Sequence, residues 1–340
     1  MLFVDNQNNT DPSFNLALEE FLLRELTLEE PLLLFYINAP SVIVGRNQNT
    51  VEEIDQSYID ANNVNVVRRL SGGGAVYHDL GNLNYSFIVN GREQINRFSD
   101  FLNPVIETLN EMGVPATQGG NSDIVLDGKK LSGNAQYATL TRMFSHGTLL
   151  FDTNIEHMLN ALNPRRVKIE SKAVQSVRSA VTNIREALPT DMRIDELKAR
   201  LLKNIFKSDA IPQYELSADD LAKVEQLRNE RYNNWEWNVG RSPRFNIKNN
   251  GQFPYDKIVA HIYVEKGMIK TVKLFGAFFG EKPAEELEQQ LKGQRFDRQS
   301  LEELLKTVDV SQFIAGISDE QFLALMLGDE TLESTSPQNR

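Results

Sequence analysis

Apolar positions take up a helical rhythm soon after the chain begins. In "NTDPSFNLALEEFLLREL", Leu16, Leu18, Phe21 and Leu22 fall roughly on one face, with Asp11 placed as N-cap and Pro12 in the first turn. The short apolar runs "PLLLFYIN", "SVIVG", "VNVVRRL" and "LNYSFIV" are rich in β-branched and aromatic residues, and several end at turn residues, so they predict strands. "VEEIDQSYIDANN" predicts a helix between the second and third of them. "FSDFLNPVIETLNEMG" predicts another, stopped at Gly113, with Pro104 tolerable near a first turn. "SDIVLDGKKLSGNAQY" predicts a hairpin turning on Asp127-Gly128, and "HGTLLFD" one more strand.

From residue 154 the pattern becomes helical, over 154–162, 179–188, 192–206 and 216–234. Polar and turn-forming residues gather in "GRSPRFNIKNNGQFPYD", which predicts an interdomain linker. "IVAHIYVEKGMIKTVKLFG" then alternates as a strand pair turning at Lys266-Gly267, and three short helical segments follow. No internal repeat is found. The fold class expected is α+β, with a large mixed-sheet domain over 1–245, a small α+β domain over 250–334 and a flexible tail at 335–340.

Composition narrows what such a protein does. At 340 residues, one large domain and a smaller one is the natural division. No run approaches the roughly 18 apolar residues of a membrane helix. "MLFVDNQNNTDP" has no basic segment before an apolar one, so no secretory signal is expected and the cytoplasm is the expected location. A net charge of −11 argues against a broad nucleic-acid surface. Any phosphate handled here must meet a local basic cluster. The absence of cysteine excludes disulfides, cysteine-based zinc sites and cysteine nucleophiles.

The chemistry is sought first in "VVRRLSGGGAVYHDLGN". It is not a Walker loop: only "DGKKL" comes near that pattern, and it lacks the upstream glycine and the hydroxyl after the lysine. It is not a dinucleotide fingerprint either, because Tyr77 stands where a third glycine belongs. Glycines do let backbone N–H groups approach an anion and allow the positive φ of a concave nest. Arg68 and Arg69 point to opposite faces of a strand, so one of them can reach an anion held there. A glycine-rich bulge beside a surface arginine pair is the other reading.

Two further clusters are basic. In "DIVLDGKKLSGNAQ", Lys129 and Lys130 are either a solvated hairpin tip or, by alternation, one outward lysine and one inward. Lys130, beside apolar Leu131, would then need a partner, for which an acyl phosphate is suited. In "KIESKAVQSVRSAVTNI", Lys168, Lys172 and Arg178 form either a basic loop over a phosphate or an ordinary connection. The four histidines, His78, His146, His157 and His261, show no ligand spacing such as H-E-x-x-H, so no structural metal is expected.

At these residues the chain resembles the lipoate–protein ligases. "RRLSGGGAVYHDLGNLNYSF" is similar to that family's signature, and "DGKKLSGNAQ" to its catalytic-lysine motif. "SVIVGRNQN" and "SHGTLLFD" resemble its supporting strands. The likeness runs over about 10–190 and continues in the C-terminal segment, which resembles the family's accessory domain. It implies a catalytic domain of biotin/lipoate ligase type and a two-step reaction. Lipoate and MgATP give lipoyl-AMP and pyrophosphate. A lysine of an acceptor lipoyl domain, on a 2-oxoacid dehydrogenase E2 subunit or a glycine cleavage H protein, then takes the acyl group.

The resemblance also implies roles. Lys130 would be the catalytic residue, between acyl carbonyl and phosphate. Arg69, Ser71, Gly73, Gly74, Ala75, Val76, Tyr77, Asp123, Lys130 and Arg178 would bind ATP or the adenylate. Lys130, His78, His146, Tyr36 and Gly74 would bind lipoate. Asp123 would be the Mg²⁺ ligand, and Lys172 to Asn183 a loop closing on the adenylate. A monomer is expected, with neither nucleic acid nor membrane as partner.

Related octanoyltransferases and lipoyl-amidotransferases pass the acyl group through a cysteine, which this chain does not have. The chain departs from the family at "GGNSD", where Asn121 and Ser122 stand in place of Arg and Asn, and at Ala180, often an arginine. These departures leave two alternatives: an octanoate-preferring ligase, and a non-catalytic protein that keeps the acyl or adenylate pocket. The G-R-G-R-x-R-type loop of biotin ligases is not found.

Overall fold

In the computed structural model, strands β1 (Leu2–Asp5), β2 (Leu32–Ile37), β6 (Asn82–Asn90), β7 (Thr117–Gly119), β8 (Asp123–Leu126), β9 (Lys129–Ala138), β10 (Arg142–Leu150) and β11 (Gln213–Tyr214) form one sheet. Its order is β11-β1-β2-β6-β10-β9-β8-β7. The β11–β1 and β1–β2 pairs are parallel and the rest antiparallel, which makes the sheet mixed. The residues described are 1–26, 29–120, 122–162, 181–240, 247–265 and 267–328. They divide into two units: Met1–Arg46, Val51–Ser71 and Ala75–Asn238 in the larger, and Asn47–Thr50, Gly72–Gly74 and the chain from Val239 in the smaller.

The larger sheet is covered on both faces, which is why β2 reads "LLLFYI" without alternation. On one face Leu33, Phe35, Tyr85 and Phe87 join Phe101, Leu102, Leu109, Leu197 and Leu201 of helices Ser99–Glu111 and Ile194–Phe206. On the other, Leu34, Tyr36 and Phe144 pack with Phe14, Leu18, Phe21 and Leu22 of helix Pro12–Arg24. Asp11 caps that helix by accepting from the N–H groups of Ser13 (2.8 Å) and Phe14 (3.3 Å). A second sheet has β3 (Ser41–Val44) between β4 (Asn65–Arg68) and β5 (Val76–His78), so β4 ends on the first arginine of the pair and Arg69 follows it directly.

Several expectations change. The helix expected over "VEEIDQSYIDANN" is two, Thr50–Glu53 and Gln56–Ala61. Asp55 breaks it by accepting from the Tyr58 N–H at 2.9 Å as a new N-cap. Pro104 lies inside helix Ser99–Glu111, past its first turn. Its missing N–H would have bonded the carbonyl of Asp100, an exposed residue, which spares the core an orphan acceptor. Strands β1, β7 and β11 have at most four residues and too little period to be read alone.

The smaller unit has a three-stranded antiparallel sheet of β12 (Ile247–Gln252), β13 (Lys257–Glu265) and β14 (Met268–Phe275). The expected linker thus contains an edge strand, whose polar "IKNNGQ" suits a position with one open side. Helices Ala284–Leu291, Arg298–Leu305 and Asp319–Leu327 follow, burying Leu287, Leu301 and Phe322 against Ile258, Ile262 and Leu274. The tail lies outside the described residues.

Candidate active site

Strand register brings distant residues into one row. Tyr36 opposes Asn84, and Asn84 opposes Thr148. Gly133 donates its N–H to Thr148 Oγ1 at 3.3 Å and opposes Asp123 across the next pair of strands. Opposed residues share a face of the sheet, so these five line one transverse row. Four inter-strand steps carry it about 19 Å. A neighbouring row runs Leu34, Ser86, His146 and Ala135. The middle of both rows is made mostly of small side chains.

At one end of the first row Lys130 Nζ lies 2.8 Å from Asp123 Oδ1, with the lysine side chain 41% exposed and the aspartate side chain 35%. The pair sits on a hairpin whose turn residues, Asp127 (φ 49°) and Gly128 (φ 76°), are both left-handed, as a two-residue loop requires. The Lys130 carbonyl accepts from the Thr182 N–H at 3.0 Å. Lys130 is therefore a partly open cation with a carboxylate partner, not an unpaired buried one.

Near Tyr36 the site is closed and charged. Arg69 is buried; its Nε donates to Ser71 Oγ (3.0 Å) and its Nη1 to the Ile43 carbonyl (2.8 Å). Burial lowers its guanidinium to about 10, against the opposing influence of Tyr36, Glu53 and Glu19. Ser71 Oγ lies 2.7 Å from His146 Nε2, and His146 Nδ1 lies 2.9 Å and 3.0 Å from the two carboxylate oxygens of Glu19. This geometry fits a His146 that accepts at Nε2 and donates at Nδ1. Burial, then the Glu19 charge, pushes the Tyr36 phenol well up.

His78 pairs through Nδ1 with Asn38 Nδ2 at 3.0 Å. Asn38 can only donate from that nitrogen, so the imidazole proton belongs on Nε2. That Nε2 is buried and has no partner among the described residues. Burial drives His78 down to about 3, helped by Arg69 and His146. Tyr77, on the same strand, is raised to about 12 by burial, then by Asp79 and Tyr58.

Other expected residues lie differently. Arg68 is locked on the carbonyls of Gly45 (2.9 Å), Arg46 (3.0 Å), Trp237 (2.8 Å) and Asn238 (3.3 Å), a structural role. The Ala75 N–H, expected in a phosphate cradle, donates to Glu53 Oε2 at 3.2 Å. Gly73 and Gly74 fall with the smaller unit; there Gly73 takes φ 87° and its carbonyl accepts from Gln48 Nε2 at 3.1 Å. Lys168, Lys172, Arg178, Ala180 and Asn121 lie outside the described residues. Ser122 offers its carbonyl to Asn134 Nδ2 at 2.7 Å.

Glu19 and Glu53 were not anticipated. For Glu19 the available signal was the Glu19-Glu20 pair inside the apolar helix Pro12–Arg24, where a charge is costly unless paired. Glu20, its neighbour, is held by Arg24 (2.8 Å), Arg231 (3.3 Å) and the Tyr232 hydroxyl (2.9 Å). No three His, Asp or Glu side chains gather as a metal cluster among the described residues. A magnesium ion carried mainly by nucleotide phosphates needs only one or two carboxylates, and Asp123 fits that demand.

Residues 11–206 match the lipoyl protein ligase A/B catalytic domain, and 242–326 match the bacterial lipoate protein ligase C-terminus. Lipoate-protein ligase LplJ of Bacillus subtilis (strain 168) is 47% identical over 330 residues, 96% of this chain and 100% of that protein. Lipoate–protein ligase 1 of Staphylococcus aureus (strain Mu50) is 42% identical over 327 residues, again 96% and 100%. Among solved structures, a bipartite lipoate protein ligase of Thermoplasma acidophilum, described with its E2 lipoyl domain, aligns at TM-score 0.64 and 26% identity. It covers 72% of this chain and 98% of its own. A lipoate-protein ligase A bound with ATP aligns at 0.60 and 26%, covering 71% and 97%. The two matched segments span most of the sequence, and they contain the row, the Lys130–Asp123 pair and the buried histidines: the chain belongs to the lipoate–protein ligase family.

Proposed function

We propose that the chain joins lipoate to a lysine of an acceptor lipoyl domain in two steps driven by ATP. The observation that carries this reading is the Lys130–Asp123 pair at one end of a row of small side chains whose other end is Tyr36. An acid stretched along that row puts its carboxylate beside the one partly open cation of the row and its chain over Asn84 and Thr148. In the first step a carboxylate oxygen attacks the α-phosphorus and pyrophosphate leaves. In the second the acceptor ε-amine attacks the acyl carbonyl and AMP leaves with the bonding pair.

Each residue acts through charge or hydrogen bonding, and no protein nucleophile is needed. Lys130 neutralises the negative charge that grows on carboxylate, phosphate and carbonyl oxygens, a preorganised effect worth several kcal/mol in comparable sites. Asp123 holds that ammonium in place between turnovers. Arg69, pinned on Ser71 and Ile43, supplies a second positive charge that need not reorganise. The buried Nε2–H of His78 offers a bond to a ligand oxygen. Asp123 would hold magnesium together with the phosphates of ATP, and the ion when bound would screen phosphate charge.

The lipoate-ligase relatives, the ATP-bound neighbour and the neighbour described with an E2 lipoyl domain support acid, nucleotide and acceptor class in turn. An E2 subunit or an H protein fits as acceptor, a cytoplasmic monomer as the working form. No described helix is long and apolar enough to cross a membrane. The test is lipoate-dependent exchange of pyrophosphate into ATP without acceptor, repeated with octanoate. Exchange that disappears in Lys130→Ala supports the reading; equal exchange by that variant would sink it.

A further inference from the structure

The Lys130 ammonium reaches Asp123 by a path that the backbone leaves clear. Asp123 opposes Gly133 and Ile124 opposes Ser132, but Val125 opposes Lys130. Leu131 is thus the extra residue of a β-bulge. Lys130 starts three residues before Gly133, yet its Nζ sits on the residue opposite Gly133. Its side chain therefore lies along the strand, over Gly133.

A Cβ built on Gly133 would stand 2.9 Å from both Cε and Nζ of Lys130, and no other described atom beyond its chain neighbours comes within 4 Å. Gly133 does not take a positive φ, so no turn or left-handed backbone explains the glycine. A glycine inside a strand lowers stability, and close approach of another group is one of its few uses. On the opposite face of the sheet, Tyr85 donates its hydroxyl to Asn134 Oδ1 (2.5 Å), and Asn134 Nδ2 holds the Ser122 carbonyl (2.7 Å), which steadies the strand end that bears Asp123 from behind.

We propose that Gly133 is a positioning residue for Lys130: its missing Cβ is the space through which the ammonium reaches Asp123 and the acyl phosphate. The inference rests on Lys130 being the cation of the acyl-transfer steps. It differs from a packing role in one respect: only the mobile end of a lysine has to move when the space is filled. Gly147 is the opposite case, since a Cβ there would meet Asn134 Oδ1 at 1.8 Å and Tyr85 Cζ at 2.7 Å inside the core.

The experiment compares full-length wild type, Gly133→Ala, Lys130→Ala and the double variant. Thermal unfolding, lipoate-dependent ATP–pyrophosphate exchange and calorimetric affinity for lipoyl-sulfamoyl-adenosine, whose sulfamate replaces the phosphate, are read for each. Gly133→Ala should unfold no earlier than wild type, and lose exchange kcat on the order of 100-fold, the cost of an ångström-scale misplacement. Its KM for lipoate should move by less than about threefold, as befits a transition-state contact. The double variant should bind the analogue no more weakly than Lys130→Ala. Wild-type exchange by Gly133→Ala beside an inactive Lys130→Ala would overturn the role of Gly133 alone. An active Lys130→Ala would overturn the reading of Lys130 beneath it. Additive losses of affinity, or a Gly133→Ala that does not fold, would each show that Gly133 acts by another route and overturn the inference.

Discussion

His78 makes the stability of the larger unit depend on pH in a calculable way. Burial, with Arg69 and His146 nearby, lowers its imidazole from 6.5 to about 3. The unfolded chain takes up a proton near the ordinary value and the folded chain does not, so acid favours unfolding. The contribution of His78 is whole above about 6.5 and is lost as pH falls toward about 3. At about 1.4 kcal/mol per pH unit, acidification to pH 5 removes roughly 2 kcal/mol. His78→Gln keeps an acceptor for Asn38 and does not titrate. Both tryptophans, Trp235 and Trp237, lie in the larger unit, so their fluorescence follows its unfolding in urea. From pH 7 to pH 5 the wild-type midpoint should fall by about 1 M more than that of the variant, for a slope near 2 kcal/mol/M. His261, buried in the smaller unit, is present in both proteins and cancels. Parallel losses in the two proteins would refute the assignment of a neutral, buried His78.

Two shorter predictions bear on the same machinery. Glu19→Gln weakens the bond to His146 Nδ1, a contact with a charged group worth about 1.5–3 kcal/mol. Its urea midpoint should drop, and a cycle with His146→Gln should show a coupling above about 0.5 kcal/mol; full additivity would mean the pair is not energetically linked. Gly128→Ala places a side chain at φ 76° with nothing within 4 Å, so it should cost about 1–2 kcal/mol of stability and leave exchange activity intact. Loss of activity there would contradict the separation of turn strain from Lys130 clearance.

How much of this was legible follows from where each signal lies. The hairpin over "DIVLDGKKLSG" could be read because Asp127-Gly128 states its turn locally, and the helix from Pro12 because its cap and apolar face lie within one stretch. The single helix expected over "VEEIDQSYIDANN" failed because Asp55 is both an acceptable helix residue and a better N-cap. Its own N–H bonds the Ala161 carbonyl, over a hundred residues away, and no local pattern announces that. The edge strand Ile247–Gln252 reads as a linker for another reason: its side chains do alternate between faces, but two of the three inward positions, Asn249 and Gly251, are not apolar, so the pattern does not show.

The site shows the same limit more sharply. Arg68 and Arg69 are adjacent and chemically identical, yet one is consumed by four backbone carbonyls while the other is set among Ser71, Glu19, Glu53 and Tyr36. Strand alternation says that they differ but not which faces the chemistry, because that depends on what the opposite face meets. Gly128 and Gly133 likewise look alike in "DGKKLSG". The first is required by its own φ, a property of the chain, and the second by the reach of a lysine three residues earlier, a property of the bulge at Leu131. A bulge moves every later side chain to the other face, so no period read from the sequence could have put Lys130 over Gly133. Conformational demands can therefore be inferred residue by residue, whereas clearance demands exist only once the register is known.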